Sequence, residues 1–299
     1  MSLFLHHDAL SAPLENPRLR VLSLGVGVQS VTLYRMAERG DLGPKPDVAI
    51  VADTKAEPKW FYDYLAHLQE TGTIPIVVVS AGDLEADILQ GQNTTSHDWC
   101  AIPAFALNED AETGMLRRQC TQEYKIHAIQ AEIRRLLGLK PRQSIRHFLK
   151  LKRGEPTPLI VETWVGISMD EITRMKSSRL PYEYKRHPLI EARMSRKDCL
   201  RWLEERQYRL PRKSACVFCP YRDHAKWLDL KENAPEDFAR AVAVDRAIRN
   251  GNPSIGMRTG KMGVHRSLTP LEDVDFTQPD PADGFRFGWA NECEGMCGV

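Results

Sequence analysis

The segment RVLSLGVGVQSVTL, residues 20–33, places a short apolar run before two glycines, Gly25 and Gly27. The apolar run at 21–24 predicts a buried strand, and Ser30 is placed to open a helix. The first N–H groups of a helix have no intrahelical acceptor, and glycines leave few Cβ atoms in the way, so this turn can hold a phosphate or pyrophosphate. The alternative is a turn in which the glycines only reverse the chain.

The spacing of this turn matches neither of two common phosphate-binding motifs, G-x-x-x-x-G-K-[ST] and G-x-G-x-x-G. An ordinary Walker loop or dinucleotide fingerprint is therefore not expected. Serine hydroxyls at the two ends of the turn can add hydrogen-bond donors to those of the backbone. We predict that the nucleotide contacts of this segment come from Ser23, Gly25, Gly27, Gln29 and Ser30.

Length and composition bound the class of protein. The 299 residues suffice for one large α/β domain or for a core domain with a smaller appendage. Lys and Arg number 41 against 40 Asp and Glu, so the net charge of +1 favours no particular partner. Apolar runs such as residues 74–79 are too short to cross a bilayer, and the N-terminus MSLFLHHDAL does not resemble a secretion signal. A soluble, cytoplasmic protein with no membrane partner is expected.

Strand and helix patterns alternate along the first part of the chain. The predicted strands are 21–24, 47–52, 75–80 and 159–165, and the helices between the first three are 30–39 and 58–70. Such alternation predicts an α/β, Rossmann-like fold, with a parallel sheet, helices on both faces and right-handed crossovers. Ligands of such sheets bind at the carboxyl ends of the strands.

We divide the chain into three parts. Residues 1–18 form a leader, 19–194 a nucleotide-binding α/β domain, and 195–299 a helical C-terminal region that includes a small cysteine-bearing subdomain. Residues 81–118 are polar and have no clear period, which predicts a mobile, lid-like loop.

Polar residues follow the second and fourth predicted strands. Asp53, Thr54 and Glu57 come after the second, where Asp53 and Glu57 are placed to meet a ribose, a base or a metal ion. An aspartate there can instead cap the next helix. Gly166, Glu171 and Arg174 come after the fourth strand, and an arginine in that position can bind a phosphate or sulfate in bidentate fashion.

Cys120 lies directly before a predicted helix whose N-cap is Thr121, and it follows the basic pair Arg117 and Arg118. The helix dipole and the cations would lower a thiol pKa or attract an anion. A buried cysteine beside a solvated basic turn is the alternative. The side chains that we predict to bind an anionic substrate are Arg117, Arg118, Lys125 and Arg179.

Cysteines supply the second strong feature of the sequence. Seven cysteines without a secretion signal favour thiol chemistry or metal ligation over a disulfide framework. The pair Cys216 and Cys219, spaced C-x-x-C, can share a metal ion, ligate a cluster or form a redox disulfide. Cys199, within a predicted helix that begins at a capping box, is expected in the core.

Five cysteines lie on predicted turns or tails: Cys120, Cys216, Cys219, Cys293 and Cys297. Both a [4Fe–4S] cluster and a structural zinc site can take four thiolates, and the spacing does not choose between them. We predict that Cys120, Cys216, Cys219 and Cys293 bind the metal. Our hypothesis is that Cys297 is a mobile thiol that carries or attacks sulfur.

Residues 140–158 are rich in lysine and arginine. Such a segment can contact nucleic acid, but it is also typical of a solvated surface insertion.

The chain resembles the PP-loop ATP pyrophosphatase superfamily in its phosphoadenosine phosphosulfate (PAPS) reductase-like branch. Residues 23–30 resemble that superfamily's Ser-Gly-Gly-x-Asp-Ser pyrophosphate loop, with Gln29 where Asp is typical. Residues 52–54, Ala-Asp-Thr, resemble its nucleotide contact after the second strand. Residues 166–174 resemble the branch's Gly-x-x-x-x-Glu-Ser-x-x-Arg segment, with Ile172 in the serine position and the arginine one residue early.

The C-terminal cysteines extend the resemblance. Glu292-Cys293 and Cys297-Gly298 are similar to the Glu-Cys-Gly tail that carries the nucleophilic cysteine of the reductases. The adjacent cysteine pair of cluster-bearing sulfonucleotide reductases is absent from this sequence. One C-x-x-C with scattered cysteines is more similar to the variant members that activate substrates for sulfur transfer.

The resemblance implies an adenine nucleotide alpha-hydrolase-like fold and two possible reactions. In the first, ATP with Mg²⁺ adenylates a substrate oxygen, pyrophosphate leaves, and sulfur replaces the adenylated group; Arg174 would stabilise the leaving charge. In the second, a cysteine thiolate such as that of Cys297 attacks the sulfur of PAPS or its dephospho form.

The implied partners are a sulfur acceptor, either nucleic acid or a small molecule, and a sulfur donor protein or thioredoxin. A non-catalytic nucleotide- or nucleic-acid-binding module with structural zinc is the alternative of another class.

Overall fold

The predicted parallel sheet is confirmed by the computed structural model, which describes residues 12–91, 101–107, 113–251 and 261–278. Its five strands lie in the order β3-β2-β1-β6-β7, and each neighbouring pair is parallel. These strands are β1 (Leu19–Ser23), β2 (Val48–Ala52), β3 (Ile76–Val79), β6 (Val161–Val165) and β7 (Glu183–Arg186). The order reverses between β1 and β6, so the crevice for a ligand in this sheet lies at the carboxyl ends of these two strands.

Helices cover both faces of the sheet, as predicted. Successive residues of β1 point to opposite faces: Leu22 packs with one apolar cluster and Val21 with another. The first cluster is completed by α1 (Val28–Arg39), α2 (Lys59–Thr71) and α7 (Arg196–Glu205). The second is completed by α4 (His127–Leu136).

Local sequence signals define the ends of several helices. Gly40 closes α1 in the left-handed conformation, with φ of 78°. The predicted capping box opens α7: Ser195 Oγ accepts a hydrogen bond from Asp198 N at 3.2 Å, and Asp198 Oδ2 accepts one from Ser195 N at 3.0 Å. Cys199 is fully buried in this helix, which confirms its place in the core.

The interpretation of residues 81–118 as an unpatterned loop is wrong for the described part of that segment. It contains α3 (Leu84–Gln90) and two short strands, β4 (Phe105–Leu107) and β5 (Thr113–Met115), which form an antiparallel sheet with β8 (Met262–Gly263). Strands of three residues are too short to show a period, and the third strand comes from a distant part of the chain. Short-range patterns therefore could not indicate this sheet.

A third apolar cluster lies around this small sheet. It contains α3, α8 (His224–Asn233) and α9 (Pro235–Ile248), and Trp227 is fully buried within it. The same cluster includes Ala56, from the loop after β2, and Phe218, from the C-x-x-C segment. This packing brings the cysteine segment to the sheet end where β2 stops.

The remaining elements are short. A π-helix (Thr121–Ile126) runs directly into α4, and α5 (Ile145–Phe148), a 3₁₀ helix (Met169–Arg174), α6 (Pro188–Glu191) and a second 3₁₀ helix (Leu271–Asp273) follow along the chain. The prediction that Thr121 caps the helix is wrong, because Cys120 before it already has helical dihedral angles. Within the described ranges, no helix has the length and apolar character needed to cross a membrane.

Part of the predicted leader is described, and it contacts the sheet. Leu14 N donates a hydrogen bond to the Glu162 carboxylate of β6, and Leu14 O accepts one from the Arg20 guanidinium of β1. This part of the predicted leader therefore lies against the neighbouring strands β1 and β6 rather than apart from the sheet.

Candidate functional site

The glycine turn joins β1 to α1 at the point where the strand order reverses. Gly27 is the N-cap residue of α1, and its N–H donates to Ser30 Oγ at 3.2 Å. Val26 before it has a φ of 58°, a left-handed conformation that is rare for a β-branched residue and typical of functional turns. The turn thus ends at a helix N-terminus on the carboxyl side of the sheet, as predicted, but the helix begins at Val28 rather than at Ser30.

Gly166, directly after β6, lies against the first turn of α1. A Cβ atom at this position would lie 3.0 Å from Ser30 Cα and 3.2 Å from the Gln29 carbonyl carbon. These are backbone atoms, so a side chain here would push α1 away from β6. The glycine is needed because the two segments approach so closely.

A chain of polar contacts links this turn to the 3₁₀ helix after β6. Gln29 Nε2 lies 3.4 Å from Ser168 Oγ and 3.4 Å from Glu171 Oε2, and Glu171 in turn forms an ion pair with Arg174. Gln29 is 1% exposed, and its Oε1 has no hydrogen-bond partner among the described residues. The structure therefore brings together three of the predicted nucleotide and catalytic residues, Gln29, Glu171 and Arg174, and leaves one buried amide oxygen without a partner among the described residues.

Asp53 lies at the carboxyl end of β2, where it was predicted. It is buried, and it accepts hydrogen bonds from Tyr62 Oη at 2.9 Å and from Lys55 N and Nζ at 2.8 Å. Burial, followed by the Asp53 charge, raises the pKa of Tyr62, so its hydroxyl keeps the proton that it donates. Asp53 thus organises the loop 53–57 at the carboxyl end of β2.

Three of the predicted metal ligands, Cys120, Cys216 and Cys219, line one small cavity. Cys216 Sγ lies 3.6 Å from Thr54 Oγ1 and 3.8 Å from Glu57 Oε1. The backbone of Val217, between the two C-x-x-C cysteines, donates to Ala56 O at 2.8 Å. The loop 53–57 therefore carries both the predicted nucleotide contacts and the nearest neighbours of Cys216.

Buried charges surround this cavity. Lys125 Nζ and Glu57 Oε1 form an ion pair at 3.1 Å, and both side chains are 5% exposed or less. Arg222 is also buried, and its Nη2 donates to the carbonyl oxygens of Ala215 and Cys216. Two cations thus lie close to the cysteines against one carboxylate, an arrangement that can offset negative charge on the cysteine sulfurs.

Burial is the main cause of the pKa shifts here. It raises the pKa of the Cys216 thiol well above its usual value, and the Glu57 charge adds to this effect while Lys125 opposes it. Burial also lowers the pKa of Arg222, and the neighbouring cysteines oppose that shift. A metal ion bound to Cys216 would instead favour the deprotonated form of this thiol, because metal ligation needs the thiolate.

In the described part of the chain, no three side chains of the His, Cys, Asp or Glu type are already arranged around a common metal position. The three cysteines therefore share a cavity without being arranged around one metal position. Cys293 and Cys297 lie outside the described residues, so their predicted roles stay predictions.

The predicted anion-binding residues lie in different surroundings. Arg118 lines the cysteine cavity, with its guanidinium 5.9 Å from the centre of the Tyr221 ring, and Lys125 is paired with Glu57. Arg117 and Arg179 are exposed. The basic segment 140–158 ends directly before β6, at the amino end of that strand and therefore opposite the glycine turn.

Sequence analysis missed Arg222 and Ser168. Arg222 lies three residues after Cys219, and a charged residue so close to a C-x-x-C pair was the available signal. Ser168 lies between Gly166 and Glu171 and had no signal beyond that position. A cavity of about 540 Å³ opens elsewhere, beside the charged surface of α7, and includes none of the predicted site residues.

Comparison of the chain with protein-family models and with curated proteins finds no match.

Proposed function

We propose that the chain is a PP-loop-type enzyme, of the adenine nucleotide alpha-hydrolase-like class, that binds ATP and adenylates a substrate for sulfur transfer. The observation that carries this proposal is the loop 53–57, which joins two sites. Asp53 begins the loop at the carboxyl end of β2, beside β1 and its glycine turn, whereas Thr54 and Glu57 contact Cys216. Such an arrangement suits a reaction that uses a nucleotide and sulfur chemistry side by side.

The residues around the cysteine cavity fit a metal centre. Three thiols line the cavity, one buried carboxylate oxygen of Glu57 has no partner among the described residues, and Lys125 and Arg222 would offset the negative charge of metal-bound thiolates. A [4Fe–4S] cluster is the proposed occupant, with zinc as the alternative. When bound, a soft metal centre would supply a site that can hold sulfur.

The residues at the sheet end support the adenylation step. A substrate oxygen attacks the α-phosphorus of ATP, the bond to the β-phosphate oxygen breaks, and pyrophosphate leaves with the electron pair. The N–H groups at the start of α1 would bind the pyrophosphate, and Arg174 would stabilise the negative charge that develops on it. Attack by a sulfur nucleophile then releases AMP and leaves sulfur on the substrate.

Gln29 has a distinct part in this proposal. Its buried Oε1 is an acceptor, and amide oxygens are also ligands for Mg²⁺. A Mg²⁺ ion that bridges the ATP phosphates would give this oxygen a partner. The amide would then do part of the work of the aspartate that is typical of the pyrophosphate loop this segment resembles.

Product analysis tests the proposal. We expect the protein to convert α-labelled ATP with Mg²⁺ slowly to AMP and pyrophosphate in equal amounts, with water as the acceptor. Incubation with PAPS and a dithiol is expected to release no sulfite. Sulfite from PAPS without AMP from ATP would instead assign the reductase reaction. A colourless protein with one zinc ion per chain and no turnover of either nucleotide would assign the non-catalytic module.

A further inference from the structure

The buried carboxylate of Glu57, which contacts two residues that line the cysteine cavity, Lys125 and Cys216, is not fully explained by its neighbours. Glu57 is 1% exposed. Its Oε1 accepts a hydrogen bond from Lys125 Nζ at 3.1 Å and lies 3.8 Å from Cys216 Sγ. Its Oε2 is buried and has no hydrogen-bond partner among the described residues. A buried carboxylate oxygen without a partner is costly, so a ligand for it is expected.

The surroundings of Glu57 match those of a metal-bound carboxylate. Carboxylates that bind a metal through one oxygen commonly accept a hydrogen bond on the other from an outer-shell group. Lys125 already holds Oε1 in this way and leaves Oε2 available. Lys125 is placed by the π-helix, and π-helical turns are frequent at functional sites.

We propose that Glu57 is the fourth protein ligand of a metal centre held by Cys120, Cys216 and Cys219, with Lys125 as its outer-shell partner. The donor set is therefore three thiolates and one carboxylate, rather than the four thiolates that cysteine spacing predicts. This proposal rests on the metal centre of the proposed function, but not on its ATP chemistry. It also frees Cys293, together with Cys297, for other roles in the tail.

Charge balance supports a mixed donor set. Three thiolates and the Glu57 carboxylate carry four negative charges, which a divalent ion or an iron–sulfur core and the buried cations Lys125 and Arg222 together offset. Adding a fourth thiolate beside Glu57 would place a fifth negative charge in the same buried space. Electrostatic repulsion would then allow either the cysteine or the glutamate to be the fourth ligand, but not both.

The test is metal binding by the full-length chain, without any measurement of turnover. The purified protein is loaded anaerobically with Co²⁺ in one experiment and with Fe²⁺ and sulfide in another. Thiolate-to-cobalt charge-transfer absorbance counts the sulfur ligands of each bound ion. We expect three thiolates per cobalt in the unaltered protein and in the Cys293→Ser variant, and a rise of about one third in the Glu57→Cys variant.

Glu57→Gln alone leaves Lys125 buried without its carboxylate and can fail to fold, so the double variant Glu57→Gln/Lys125→Met is the main test. We expect it to keep the charge-transfer intensity of each bound cobalt ion and to bind cobalt at least about 10-fold more weakly. In the iron-loaded protein, the electron paramagnetic resonance spectrum of the reduced centre is expected to change in the double variant and to stay the same in Cys293→Ser.

Two outcomes would overturn the proposal. If Cys293→Ser removes one thiolate from the count while the double variant binds metal with unchanged affinity, Cys293 is the fourth ligand. If the correctly folded protein takes up neither cobalt nor iron with sulfide, the cavity is not a metal site. The second result would leave the formation of AMP and pyrophosphate from ATP to be judged separately, by product analysis.

Discussion

The glycine turn and the cysteine cavity lie at the same end of the sheet but are built in different ways. The turn is made mostly of backbone, from the ends of the neighbouring strands β1 and β6, and its key feature is the close approach of Gly166 to Ser30. The cavity is made of side chains from segments that are distant in the sequence, and its key feature is the buried charge in and beside it, at Glu57, Lys125 and Arg222.

This difference determines how each region responds to change. A backbone-built site depends on the space between main-chain segments, so the addition of a single methyl group should disturb it. A site built from buried charges depends on each charge having a partner, so removal of one member should cost more than removal of a pair. The two regions can therefore be distinguished by the kind of substitution that each tolerates.

The largest expected effect is that of Lys125→Met in the cysteine region. The substitution leaves the Glu57 carboxylate buried without a cation, and we expect the free energy of unfolding to fall by about 3–5 kcal/mol. Urea denaturation measures the change. The double variant Lys125→Met/Glu57→Gln removes both charges and should recover most of the loss.

The matched control is Arg135→Met, which breaks the ion pair between Arg135 and Glu132. Arg135 in that pair is 68% exposed, so the expected loss is below about 1 kcal/mol. Equal losses for Lys125→Met and Arg135→Met would contradict the view that buried charge dominates the cysteine region.

The next effect is a dependence of stability on pH, which arises from His187 at the end of a strand of the parallel sheet. His187 follows β7 and is buried, and burial, followed by the charge of Lys185, lowers its pKa from 6.5 to about 4. Below pH 6.5 the unfolded chain therefore binds a proton at this residue that the folded chain does not. The free energy of unfolding should fall with decreasing pH by about 1.4 kcal/mol per unit, and by about 3 kcal/mol in all at pH 4.

The comparison of His187→Gln with the unaltered protein isolates the contribution of His187 to the pH dependence of stability, because the other titrating groups are common to both proteins. The difference in unfolding free energy between the two proteins should change between pH 7 and pH 4 in favour of the variant. His147→Gln, at an exposed position, serves as the control. A constant difference between His187→Gln and the unaltered protein would contradict the lowered pKa.

A smaller effect is expected for Gly166→Ala in the backbone-built region. The new Cβ would lie 3.0 Å from Ser30 Cα, so α1 must shift, at a cost of about 1–3 kcal/mol in stability. ATP affinity, measured by calorimetry, should fall as well, since the N–H groups of α1 move with the helix. Gly114→Ala is the control, because a Cβ there meets no atom within 4 Å. Unchanged ATP affinity in a folded Gly166→Ala protein would separate this glycine from the nucleotide site.

The two regions also differ in how far the sequence could predict them. The sheet, its helices and the positions of Gly27, Asp53 and Gly166 follow from local patterns, because alternation and glycine turns are short-range features. Ligand chemistry suggested that Cys120 and Cys216 converge, but their actual placement depends on the packing of α3, α8 and α9 around Trp227, which no spacing encodes. The small antiparallel sheet and the pairing of Lys125 with Glu57 depend on contacts between distant segments, and no local pattern indicates them.

The smallest change in stability is expected at Gln29, and it is the most informative about the turn. Gln29→Ala removes two hydrogen bonds of 3.4 Å, to Ser168 and Glu171, and also removes the buried oxygen that has no partner among the described residues. These contributions oppose each other, so the free energy of unfolding should change by no more than about 1 kcal/mol. If the amide oxygen serves the nucleotide with its Mg²⁺ ion, ATP affinity in the presence of Mg²⁺ should nevertheless fall by about 10-fold. Affinity in EDTA should change much less, because the lost interaction is with the ion. An equal loss of ATP affinity in Mg²⁺ and in EDTA would show that Gln29 maintains the conformation of the turn and does not bind the ion. The backbone of the turn alone would then bind the nucleotide.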